Sequence, residues 1–193
     1  MTNDGEAMTL SDMPIATRSR LRVARALRYE LNVVAQDAAD VVASVGGWLF
    51  DRQMAGWAVT VALPDRRDER ALRILGVKAV ERAGVWPSTT YERIVMTVVA
   101  PDLFDVDGDV RSQLLTSMRR GDGDIAFWGS PAPSRFGQGL CATQYRLSAA
   151  AQAFKTHALA AVGNSDTAGG SVETLLVGGR QARFFNGDLA VIG

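Results

Sequence analysis

The chain has 193 residues, 47% hydrophobic and 22% charged, with 21 basic against 21 acidic side chains. This is ordinary globular composition, long enough for one domain with a substantial core. Zero formal charge excludes the broad positive field of a general nucleic-acid or anionic-membrane binder, and a single cysteine and a single histidine exclude an internal disulfide and a His-rich metal site.

No apolar run approaches the roughly 20 residues of a membrane span. The opening MTNDGEAMTLSDMP has neither the basic start nor the apolar core of a secretory signal. A cytoplasmic location is expected, with Cys141 reduced and buried.

Residues 1–14 lack periodicity and read as a flexible arm, leaving 15–193 as a single domain. From Thr17 to Glu30 the spacing predicts a helix with Leu21, Ala24 and Leu27 on one face. Arg18, Arg22, Arg25 and Arg28 fall mostly on another, which reads as a solvated face before it reads as a nucleic-acid contact. Leu31 to Ala35 (LNVVA) predicts a strand. Asp37 opens a helix to about Met54, its apolar stripe interrupted by Gly46 and Gly47, which point to close packing, a kink or a break. Gly56 suits a left-handed cap. Trp57 to Leu63 (WAVTVAL) predicts a second strand, a short helix ends at Gly76, and Val77 to Val80 predicts a third strand. Strand–helix–strand–helix–strand is the signature of a parallel sheet with crossover helices, which binds ligands at its carboxyl edge.

Gly84 to Thr90 reads as a loop. Arg93 to Ala100 (RIVMTVVA) is the most strand-like run and belongs in the middle of the sheet. Pro101 stops it, Asp109 is placed to cap a helix to about Arg120, and Ile125 to Trp128 predicts a strand. Gly129 to Gly139 (GSPAPSRFGQG) is a Pro/Gly/Ser-rich loop. A strand at 140–147, a helix capped by Ser148, a strand at 172–177 and a closing hairpin at 180–192 complete the chain. The expected fold is a single Rossmann-like three-layer α/β domain. It has a mostly parallel sheet of about five or six strands, helices on both faces and a C-terminal antiparallel hairpin.

Gly56 to Glu81 resembles the second strand–helix–strand of Rossmann-type domains: a glycine turn, an alternating apolar strand, Asp65 at its tip, then LGV before the next strand. The resemblance implies that Asp65 would bond a ribose hydroxyl. The stretch Val34-Ala35-Gln36-Asp37-Ala38 has no glycine to admit a pyrophosphate, and Asp37 would repel one, so a dinucleotide is disfavoured.

Aspartates recur at strand ends: Asp37 and Asp40, Asp65 and Asp68, Asp102 and Asp105. Converging there, they would hold Mg²⁺ through oxygen ligands; as caps and turn residues they need no ligand. Asp105 to Asp109 has calcium-loop composition, but Val110 stands where the glycine is needed and Thr116 where the glutamate is. The 129–139 loop offers Ser130, Ser134 and Arg135 to an anion. His157 and Cys141 have no nucleophile–base spacing around them. The four tryptophans read as core, with one at a dimer contact the alternative.

With no phosphate loop, metal cluster or nucleophile motif visible, the sequence favours a non-catalytic module that recognises a partner protein or small ligand, as a homodimer and without a cofactor. The alternative is a Mg²⁺-dependent enzyme acting on a phosphorylated or nucleotide substrate. It would use Asp37, Asp65 and Asp102 for the metal and Arg135 for phosphate. A nucleic-acid-associated factor using the helix at 17–30 is weaker still.

Overall fold

A computed structural model describes residues 29–82, 94–121, 123–129, 133, 136, 139–164, 170–178 and 190–191. β1 (Glu30–Val34) pairs in parallel with β2 (Ala58–Leu63) on one side and β4 (Ile94–Val99) on the other. Beyond them lie β3 (Lys78–Glu81) and β5 (Asp124–Trp128), also parallel. β7 (Val172–Gly178) runs antiparallel to β5, β6 (Leu140–Arg146) antiparallel to β7, and β8 (Ala190–Val191) antiparallel to β6. The order is β3-β2-β1-β4-β5-β7-β6-β8. The expected α/β architecture is therefore present, with eight strands among the described residues where about five or six were expected.

Leu31, Val33, Val61, Met96, Val98 and Ala126 are fully buried, as strands covered by helices on both faces require. One helix group comprises α1 (Ala38–Met54), α2 (Glu69–Ile74) and α5 (Ala149–Ala161), packed on one another; the other is α3 (Pro101–Val106) against α4 (Gly108–Arg120).

Several expectations need correction. Glu30 opens β1 instead of closing a helix, because the Tyr29 carbonyl accepts from Ala58 N–H at the start of β2; residues 17–28 lie outside the described residues. Pro101 does more than end β4. Its fixed φ suits the first position of α3. The cap of α4 is Asp107, whose Oδ1 accepts from the N–H groups of Asp109 and Val110, so Asp109 lies inside the helix. Cys141 is exposed near the start of β6, although it shares a face of the strand with the buried Thr143 and Tyr145. The antiparallel pairing is made by β6 with β7, across α5, and by β8 with β6. The proposed hairpin falls largely on 179–189, outside the described residues.

Gly46 and Gly47 do not break α1. A Cβ on Gly47 would stand 2.5 Å from Leu147 Cδ1, so the glycine is there for close approach. Glu173 of β7 meets the same turn, its carboxylate accepting from Gly47 N–H at 2.9 Å and Trp48 N–H at 2.8 Å. Lys155 of α5 donates to Glu173 at 2.6 Å and to the Ala43 carbonyl at 2.7 Å. That carbonyl is the one Gly47 N–H would bond in a regular turn. Both side chains are buried, so the pair pins α1 against β7 and α5. Nearby, the Arg52 guanidinium lies 5.3–6.0 Å from the ring centres of Trp48, Trp57 and Tyr145. Trp48 and Trp57 thus serve packing, and Trp128 is buried at the end of β5; Trp86 lies outside the described residues.

Candidate active site at the carboxyl edge of the sheet

In a sheet of this order the crossover after β1 leads to β2 and the one after β4 to β5, in opposite directions. The loops there diverge and leave a crevice at the carboxyl edge. An open cleft of about 450 Å³ occupies that edge, lined by Gln36 after β1, Arg82 after β3, Leu103 and Val106 of α3, and Asp107 and Asp109 at the start of α4.

Arg82 and Asp107 pair at 3.2 Å, each about three-quarters buried. Asp107 is thereby shared between the helix cap and the guanidinium. Arg82 Nη1 is buried and has no hydrogen-bond partner among the described residues. A buried N–H left unmade costs about 1–3 kcal/mol, so it is a donor waiting for an acceptor.

Next to Gln36, the first turn of α1 presents two carboxylates. Asp37 caps it through Oδ1, which accepts from Asp40 N–H at 2.7 Å. Asp40 is held at both oxygens: Ser44 donates to Oδ1 at 2.9 Å and the Trp128 indole N–H, at the end of β5, donates to Oδ2 at 3.0 Å. Asp40 is exposed on a buried tryptophan, a carboxylate fixed in direction yet open to water.

Asp65 and Asp102 follow β2 and β4, so with Asp37 they sit on the carboxyl edge of three adjacent strands. Asp65 is engaged locally, bound by the Arg67 guanidinium and then the Arg67 N–H, which hold its carboxyl below the ordinary range. Asp102 is exposed in the first turn of α3. Ser130, Ser134 and Arg135 lie outside the described residues. Their loop is anchored at this edge, since Phe136 packs on Phe104 of α3 and Phe127 of β5 at 5.2 and 5.4 Å between ring centres.

Arg82, Asp107 and Trp128 escaped the sequence reading. Arg82 is distant in sequence from Asp107, and Trp128 from Asp40, and a lone arginine after a strand carries no local signal.

No family model and no curated protein matches the sequence. Solved structures do match the fold. A deacetylase–teicoplanin complex superposes with a TM-score of 0.56 at 13% identity, over 77% of this chain and 97% of that one. The zinc-inhibited form of teicoplanin deacetylase gives 0.55 at 12% identity, over 84% and 98%. The A40926 pseudoaglycone deacetylase gives 0.55 at 14% identity, over 76% and 96%. This chain has the fold of these deacetylases.

That finding overturns the expectation of a non-catalytic module, because the solved structures sharing the architecture are enzymes. Zinc acting on one of them also counts against a bare expectation of no cofactor. The donors at this edge do not fit a zinc ion: among the described residues no three of His, Cys, Asp and Glu are grouped to hold a metal. No helix among the described residues is long and apolar enough to cross a membrane.

Proposed function

We propose that this chain is a hydrolytic enzyme that removes an acyl group from a small substrate bound in the cleft at the carboxyl edge of its sheet. The observation that carries this reading is the fold shared with deacetylases, aligned over nearly the whole length of each. The cleft at the same edge, which a sheet of this topology leaves open, supports it.

The residues present there suit parts of such a reaction. Asp40, oriented by Ser44 and Trp128, can accept a proton from an attacking water. Arg82 offers Nη1 to a substrate oxygen, and Gln36, four positions before Asp40, lines the cleft. Asp37 keeps the first turn of α1 in place. The experiment is acetate release from a panel of N-acetyl and O-acetyl compounds by the purified chain. Turnover that falls about 100-fold or more in Asp40→Asn is the expected result, since a positioned general base contributes on the order of 10²–10⁴. Release that is absent, or equal in both proteins, overturns the reading.

A further inference from the structure

Zinc inhibits a deacetylase of this fold, yet the side chains this chain brings to its carboxyl edge are the wrong ones for zinc. Catalytic zinc takes about three protein ligands, drawn mainly from imidazole, thiolate and carboxylate groups. The whole sequence holds one histidine and one cysteine. His157 faces solvent on α5, within the helix group of α1 and α2. Cys141 is on β6, four strands from β1 and so roughly 19 Å away at the usual spacing of strands.

Oxygen donors remain, and among the described residues the two in the first turn of α1 are already engaged. Asp37 spends Oδ1 on the helix cap. Asp40 accepts at both oxygens, one bond coming from an indole N–H whose ring is only 2% exposed. The Trp128 N–H already takes up one acceptor position of Oδ2. We infer that the carboxyl-edge cleft of this chain is not a zinc site, and that Trp128 does there what a bound cation would do, fixing Asp40 and balancing part of its charge. The inference rests on placing the site at this edge, and not on the acyl-transfer chemistry.

Its test therefore needs no substrate. Zn²⁺ is titrated into the full chain and into Asp37→Asn and Asp40→Asn by calorimetry, with the Trp128 indole N–H followed by NMR. The expected result is no saturable one-to-one binding that either substitution removes. The indole resonance moves in Asp40→Asn and stays in place when zinc is added. Binding left unchanged by both substitutions, with the resonance still, places that zinc elsewhere and upholds the inference. One equivalent of zinc weakened ten-fold or more by either substitution overturns it, as does displacement of the indole resonance by zinc. Absent acetate release beside absent zinc binding would reject the proposed activity and leave this inference standing.

Discussion

Lys155 and Glu173 form a buried ion pair, so losing either partner is costly. Burial pushes the Glu173 carboxyl up from its ordinary value of 4.5, and the Lys155 charge is the strongest influence holding it down. Lys155→Met leaves a buried carboxylate without its counter-charge, a loss of about 3–5 kcal/mol at neutral pH. The sign with pH follows from linkage. Without Lys155 the folded-state pKa rises further above the unfolded value, so the folded state holds a proton that the unfolded state has released. Stability is then fully present below pH 4.5 and lost as pH rises through the raised pKa. Denaturant titrations of wild type and Lys155→Met between pH 4 and 8 should show a gap that widens with pH; a constant gap contradicts the account. At the cleft, Arg82→Gln removes the guanidinium while keeping a polar group. It should raise KM for any substrate found by the acetate assay more than it lowers kcat, because Arg82 is assigned to binding.

Helices α1 and α4 show how an element's ends and contacts outweigh its intrinsic preference. Gly46 and Gly47 are adjacent and read alike in sequence, but their surroundings differ. A Cβ at Gly46 meets Leu75 Cδ1 at 3.2 Å, whereas one at Gly47 meets two Leu147 methyl carbons at 2.5 and 2.7 Å. Leu147 is only 4% exposed and has little room to yield. Replacing a mid-helix glycine by alanine gains about 1 kcal/mol of propensity, while overpacking costs about 1–3. Thermal unfolding should therefore find Gly47→Ala destabilised and Gly46→Ala close to wild type. Equal melting temperatures for the two would refute this packing argument. In α4, Asp107→Ala removes the acceptor of two backbone N–H groups and the partner of Arg82. A loss of about 1 kcal/mol is expected in denaturant unfolding, a typical cap contribution.

Across the whole molecule, stability should follow the strand order. β1 and β4 are bonded on both sides within the parallel sheet, whereas β3 and the two-residue β8 are its edges. Native-state amide exchange should be slowest in Leu31–Val34 and Met96–Val99 and fastest in Lys78–Glu81; the reverse order would place the core elsewhere. Apolar runs such as LNVVA and AVTVAL, alternating with the α1 stripe, were enough by themselves to declare a parallel α/β sheet and to point to its carboxyl edge. Local periodicity encodes which face of each element is buried, and crossover connections leave few topologies. The sequence alone also settled the shortage of imidazole and thiolate, which is a matter of counting. What tertiary structure decided are the pairings between residues distant in the chain: Trp128 on Asp40, 88 positions apart, Arg82 on Asp107, and Glu173 on the middle of α1. Their geometry depends on where separate strands end relative to one another, and no periodicity within a single segment records it.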